Sequence, residues 1–593
     1  MTDSPEEPFT NDKSVRNSLL NDRDQEIKAI TLKYKIIIAI LSVCIVGLII
    51  GFVVYVVIKE KVSDEEDKKE PEPIIEPEQE FSVTVEVFKY RKGRGEKEHE
   101  NPNINTLVYF LGEDFKCNES DFRAFFDGYE RKFSKNFTFY QEGNYTITYK
   151  TKKKFESFQN LFRNCFYITK INFTNITGDN LVDISKMFYN CDGLNEIYFN
   201  DLNIKNVKKA NQMFYGCSGL KSLDLSMLDF SNVEDMTSMF YGMENLESIN
   251  LDNFDSKNVE SMSYMFNGCW KLKNLNFSKI NTIKAKKIVS MFADCFSLEN
   301  IDISSFDLSS ALSTESMFNG CYNLRSIKLP TSKNQNLTTM NEMFANCGNL
   351  TSISLENFDT SKVTTMEYMF ERCTNLTSIN FKGIDTTSLN SLSYIFSRCS
   401  QLKEIDLSFL SQANVNDLSG MFYKCVSLET VNLDKVNLLK TTKLSSLFEG
   451  CSNLKKINLN INTANIESID YLFADCDNLE EIDLSHLDTS KVKNMSSLFK
   501  GLSKLKSICG FFDQPHCSAI AKHIFSLKLV RIRNGLLPKV ISPSHRLISP
   551  SLVYTYSSES RSINISAVIR LSSFVTTIEC CEDEFVSKHP LLI

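Results

Sequence analysis

Twelve of the eighteen cysteines, at 165, 191, 217, 269, 295, 321, 347, 373, 399, 425, 451 and 476, fall in one register of 26 residues with a single step of 25. Each stands four residues after the first member of an aliphatic-Phe pair, as in Met-Phe-Tyr-Gly-Cys at 213–217. Thiols in such a ladder could form a disulfide stack, hold a row of metal ions, or fill a tight apolar corner. Met243 and Leu502 occupy the same slot in two units, and no Cys-x-x-Cys pair or nearby histidine accompanies the ladder. A pairing or ligand role would not tolerate those replacements, whereas an apolar pocket would, so each ladder cysteine reads as a small buried hydrophobe. No metal is expected. Beyond the ladder, Cys509 and Cys517 close to the last repeat leave a cap disulfide open.

A second column stands between the last two apolar positions of each unit's strand: Tyr198, Asp224, Asn250, Asn276, Asp302, Lys328, Asn380, Asp406, Asn432, Asn458 and Asp483, with Asn172 and Ser354 in register. Alternation along a strand turns this position to solvent. The column is therefore a candidate concave-face track for a protein or glycan, or a solvated consensus face. Tyr198 and Lys328 depart most from its Asn/Asp pattern. Few aromatics or arginines stand in it, so it holds no obvious anchor for a protein partner.

Catalytic chemistry has no comparable pattern. The six histidines are scattered, and only His486 lies within the repeats, where it reads as a turn residue. No Ser/His/Asp set, paired carboxylates, phosphate-binding glycine loop or His-Glu-x-x-His is found, so neither an enzyme nor a cofactor is expected. A formal net charge of -8 gives no footprint for nucleic acid.

Eleven Asn-x-Ser/Thr sequences, among them Asn118, Asn136, Asn144, Asn276, Asn336 and Asn375, all follow residue 58. They are candidate glycosylation sites if that part of the chain is external, although a chain rich in Asn, Ser and Thr also produces such triplets by chance.

The elements that position these residues repeat. Aliphatic-Phe pairs begin at Leu161, Met187, Met213, Met239, Met265, Met291, Met317, Met343, Met369, Ile395, Met421, Leu447, Leu472 and Leu498, which makes fourteen units over more than half of the chain. Unrelated segments do not keep phase in this way. Within one unit, Leu220, Leu223 and Leu225 give Leu-x-x-Leu-x-Leu, the leucine-rich pattern of a short strand. Val233, Met236, Met239, Phe240 and Met243 then follow at spacings that predict a short helix. Asp229 and Ser231, with equivalents at Asp359/Ser361 and Asp488/Ser490, sit where a helix cap or Asx turn is needed. The expected fold is an α/β repeat solenoid, a right-handed leucine-rich-type coil spanning 156–509.

Around this array the chain divides by composition. Residues 36–58 are 23 uncharged residues, about 35 Å as a helix against a hydrocarbon core of about 30 Å. Lys33 and Lys35 precede them and Lys59 and Lys61 follow, so one N-terminal transmembrane helix acting as a signal-anchor is expected, with 1–35 as a cytosolic tail. Five basic residues before the span against four after it favour a cytosolic N-terminus slightly. Residues 59–80 are acidic and carry three prolines, a stalk. Residues 81–155 read as a small β-rich module, with Gln141 to Asn144 as the turn of a hairpin between NFTFY and YTITYK. Residues 510–593, rich in serine and out of phase, are a C-terminal cap or a disordered tail.

The motif Met-Phe-x-x-Cys-x-x-Leu-x-x-[Ile/Leu]-x-[Leu/Phe] with a downstream Val-x-x-Met resembles the BspA-like leucine-rich repeat surface proteins in their 26-residue variety, over roughly Leu161 to Cys509. The resemblance implies cell-surface display and adhesion or ligand recognition, and it brings no catalytic residues. The chain departs from bacterial members in having a signal-anchor and no N-terminal lipoprotein-type cysteine. The resulting expectation is a single-pass plasma-membrane protein with external repeats that bind an unknown protein or glycan. The alternative is a membrane-tethered intracellular scaffold.

Overall fold

The computed structural model describes residues 78–87 and 105–509 apart from a few loop positions, the backbone of four strands between 531 and 578, and Thr31, Lys33 and Lys35. The 36–58 segment, nearly all of the stalk, Cys517 and most of 510–593 lie outside the described residues. Among the described residues no helix is long and apolar enough to cross a membrane.

The N-terminal module is built on β1 (Gln79–Val87), whose side chains alternate between buried and half-buried. It pairs antiparallel along its whole length with β2 (Gly143–Thr151), setting Phe81, Val83 and Val85 opposite Tyr149, Ile147 and Tyr145. The other edge of β1 pairs with β3 (Ile168–Thr174), the strand of the first repeat, so the module's sheet runs into the array. The hairpin predicted around Gln141–Asn144 is not formed. The strand Asn136–Thr138 pairs instead with Leu107–Tyr109, while β2 takes β1 and Arg123–Phe126 as its neighbours. The long alternating apolar face of β2 finds its match in β1, and the three-residue strand before it cannot offer one.

From Phe158 onward each 26-residue unit is one coil. A three-residue strand such as Ser222–Asp224 pairs in parallel with Ser248–Asn250 of the next coil, with Leu223 opposite Ile249. A second ladder of single parallel bridges runs Ser157, Asp183, Lys209, Asp235, Ser261 and on to Asn494, one residue per coil.

The predicted short helix is absent: the array is a β-solenoid whose third side is a stack of turns. Met239, Tyr241 and Met243 donate their amides three residues back, to Met236, Ser238 and Phe240. The intervening amides of Met236, Ser238, Phe240 and Gly242 cross to the carbonyls of Ser261, Ser263, Met265 and Asn267 in the next coil. No α-helix forms because the backbone turns left-handed twice per unit. One place is the residue before the aliphatic-Phe pair (Ser238, φ 54°) and the other is the residue before the cysteine slot (Gly242, φ 69°). Steps of three in the apolar pattern fit a turn of three residues as well as a helical stripe.

The core is one continuous cluster from Phe81 to Leu505. Its axis is a file of phenylalanines from Phe162 to Phe473, each ring 5.0–6.1 Å from the next and nearly parallel to it. Each unit is too small to bury its ring alone, so burial is a property of the stack.

Candidate recognition surface

The cysteine ladder lies inside this core. All twelve ladder cysteines are free and buried. From Cys191 onward each Sγ donates to the carbonyl of the phenylalanine in the preceding coil, at 2.9–3.2 Å. The same carbonyl also accepts the amide of its own coil's cysteine, as Phe188 O does from Cys191 N at 3.2 Å. Burial pushes these thiols up, to about 12 in Cys269, Cys373 and Cys425. They are packing groups with a weak hydrogen bond. Among the described residues no group of three or more His, Cys, Asp or Glu could hold a metal ion. Cys509 is described only in its backbone, at the end of a strand pairing with 481–483.

The Asn/Asp column is exposed, as strand alternation requires, at Asp224, Asn276, Asp302, Asn380, Asp406, Asn432 and Asp483, while Asn250 is half-buried. The side chain of Asn458 lies outside the described residues. Most of these groups are already engaged. Asp224 Oδ1 accepts the amide of Ser226 at 2.9 Å, and the same Asx turn recurs at Asn250, Asp302, Asn380, Asp406 and Asn432. Asp and Asn recur because a short oxygen acceptor turns the chain out of the strand. The Ser304 hydroxyl and then Lys328 hold Asp302 down at about 2. The two departures are also partnered. Lys328 pairs with Asp302 at 2.9 Å, and Tyr198 donates to Glu196 with the Lys170 ammonium 4.7 Å from its ring centroid. His486 is an exposed turn residue.

The sequon asparagines are unequal. Asn118, Asn144, Asn276 and Asn375 are exposed, whereas Asn136 is half-buried within a strand. Asn336 is half-buried and its Nδ2 donates to Ser309 O at 2.8 Å as a rung between coils.

What the reading from sequence missed is on the turn-built side. Outward positions there recur every third residue: before the aliphatic-Phe pair, just after it, and just after the cysteine slot. Every coil from the second to the eleventh except the eighth puts an aromatic ring in one of them. Tyr189, Tyr215 and Tyr241 stack at 4.6 Å steps, with Arg163 over the Tyr189 ring. Trp270 and Phe296 stack at 5.9 Å, and Tyr322 follows. Tyr368 and Tyr394 stack at 5.0 Å, and Tyr394 meets Tyr423 edge-on at 6.0 Å, with Arg398 and Lys424 beside the Tyr423 ring. Trp270 and Phe296 are each 41% exposed and Tyr322 is 57% exposed, unusual values for large aromatics. The signal was legible as Cys-Trp, Cys-Phe and Cys-Tyr in three successive units, but attention to the strand column passed over it.

A comparison with curated proteins gives no match. Among solved structures, the crystal structure of a TLR13–ssRNA13 complex is similar at 17% identity, over 62% of this chain and 53% of that one, with a TM-score of 0.19. The chain thus spans about half the length of that chain, and so distant a superposition bears on neither fold nor ligand. A scan of protein families matches 156–249, 217–330, 325–431 and 416–528 to the family described as "Mycoplasma protein of unknown function, DUF285". These overlapping matches take in the whole coil array and more than half of the chain, which therefore belongs to the DUF285 repeat family.

Proposed function

We propose that the chain is a non-catalytic recognition protein of the BspA-like kind, anchored in the plasma membrane and displaying its repeats outside the cell for adhesion or ligand binding. The observation that carries this reading is the aromatic track. The cysteines and the coil-to-coil amides are engaged in stacking and the strand column in turns, whereas rings as large as Trp270 and Tyr322 stand in solvent at regular steps. Exposed aromatics in file give a binding surface its contact area at low entropic cost. The uncharged 36–58 segment supports an anchor, and the sequons beyond it support an external array.

Labelling of intact cells with a membrane-impermeant amine reagent tests the reading. Exposed array lysines such as Lys208 and Lys286 should be modified while Lys28 is spared. Labelling of Lys28 with the array spared would refute it.

One observation favours the second reading, an intracellular membrane-tethered scaffold: twelve ladder thiols remain free, as is usual in reducing compartments. An attached glycan at the exposed Asn118 or Asn144 would exclude that alternative. Asn336 is a poor reporter because its amide is held by Ser309.

A further inference from the structure

On the reading just given, the structure assigns a ligand class to one part of the aromatic track: we propose that Trp270, Phe296 and Tyr322 form a binding site for a neutral, unbranched polysaccharide.

Charge is the first argument. The nine turn-side positions of coils five to seven are Tyr264, Asn267, Trp270, Ser290, Ala293, Phe296, Ser316, Asn319 and Tyr322; none is charged, and all but the buried Ser290 and Ala293 reach solvent. Lys271 and Asp294 are the only charged residues in 264–271, 290–297 and 316–323, in a chain where 24% of residues are charged. Carboxylates bound the block, Glu244 in the preceding coil and Glu342 in the following one. Within its bounds such a patch offers a polyanion the exposed Lys271 alone and a basic peptide the exposed Asp294 alone. Its composition is that of a surface for a ligand with hydroxyls and no ions.

Shape is the second. Gly348, at the Trp270 slot of coil eight, does not have a left-handed φ, so backbone freedom is not its reason. A Cβ built there would meet the Tyr322 ring at 2.6 Å and no other group as closely. The glycine therefore seats the ring, which lies over the following coil with more than half of its surface in solvent. A seated, exposed ring presents carbon to the C–H face of a pyranose.

Hydrogen bonding is the third. From the last of the rings onward, in coils seven to nine, runs a file of amides: Asn323 Nδ2 donates to Phe296 O at 2.8 Å, Asn349 Nδ2 to Asn323 Oδ1 at 3.0 Å, and Asn375 Nδ2 to Asn349 Oδ1 at 3.2 Å, whereas Lys271 and Ser297 hold the equivalent places next to Trp270 and Phe296. Each amide carries two N–H groups, and the file uses one of them. The second is oriented by its partner and available to sugar hydroxyls. A polymer lying along the stack meets the rings over coils five to seven and continues onto the amides of coils seven to nine.

Trp270 is the chain's only tryptophan and therefore a built-in reporter. Purified full-length chain would be titrated with cello-, chito-, malto- and mannohexaose while tryptophan emission is followed. At least one hexasaccharide should give a saturable blue shift. Tyr322→Ala and Gly348→Ala should each weaken it about tenfold or more at unchanged melting temperature, the size of a lost interface anchor. The proposal is overturned if no hexasaccharide shifts the emission, if both variants bind as the parent does, or if only a peptide produces the shift. Because the titration uses purified chain, its failure removes the ligand class and leaves the cell-surface reading to the labelling of intact cells.

Discussion

At each rung of the cysteine ladder two donors converge on one phenylalanine carbonyl, the amide of its own coil and the thiol of the next. This explains why Cys is preferred over Ala or Val in the slot, and why Met243 can still occupy it: the carbonyl keeps its amide donor when the thiol is lost. Reactivity follows from the same geometry. Iodoacetamide should leave the twelve ladder thiols of the native chain unmodified and label them all in urea, as counted by mass spectrometry; rapid native labelling would contradict the burial. The pH dependence has a definite sign. Folding raises these thiols from an ordinary value of 9.0 to about 12 at Cys269. The stabilisation is complete below pH 9 and is lost as pH rises through the folded value, because the unfolded chain ionises first. Alkaline unfolding should therefore begin near pH 9, and replacing several ladder cysteines by Ala should flatten its slope. Asp302 works at the other end of the scale. Its carboxyl is held down by Ser304 and Lys328, so its contribution is present above the ordinary value of 3.8 and is lost as pH falls toward 2. Ser304→Ala should move acid unfolding, followed by circular dichroism, to higher pH. At this scale the sequence was a good guide to the cysteines, since two exceptions in the column exposed its apolar role. The strand column was harder, because an Asp that binds its own backbone and an Asp that awaits a ligand have the same spelling.

The element that defied the sequence is the stack of turns. Val233, Met236 and Met239, and then Phe240 and Met243, satisfy both a helical stripe and turns of three residues, and the deciding feature is where alternate amides go. Half of them leave the coil for its neighbour, which no isolated segment can do, so propensity reasoning on one unit is blind to it. The left-handed positions are also hidden, since Gly, Asn, Ser and Tyr share them. Two substitutions test the arrangement. Gly216→Ala combines a φ of 71° with a Cβ that would lie 2.5 Å from Asn190 Oδ1, and it should cost about 1–2 kcal/mol for the backbone alone. Phe318→Ala breaks the ring file between Phe292 and Phe344 and should cost about 3–5 kcal/mol. Hydrogen exchange should show the loss of protection concentrated in coils six to eight. Protection lost evenly over all fourteen units would mean that the stack is not held by nearest neighbours.

For the molecule as a whole, the repeat count and phase were legible because a solenoid writes its period directly into its sequence. The bridge ladder from Ser157 to Asn494 matches those fourteen units one for one. The proposed recognition surface was less legible, because the consensus specifies the stack while the exposed rings stand where units differ. Ion pairs one coil apart, such as Lys286–Glu260 at 3.0 Å and Lys493–Glu467 at 2.7 Å, belong with the stacking groups and are screened by salt. The central claim is a division of labour: the strand column turns each coil out of its strand, and the aromatic track is proposed to recognise a partner. Thermal unfolding of two variants without any ligand tests it most directly. The triple change Asp224→Ala, Asn250→Ala and Asp302→Ala should lower the melting temperature. The pair Trp270→Ala and Tyr322→Ala should change the stability by no more than about 0.5 kcal/mol and so leave the melting temperature close to the parent's, as exposed substitutions do. If the aromatic pair destabilises the fold and the triple change does not, the rings hold the stack and the recognition surface lies elsewhere.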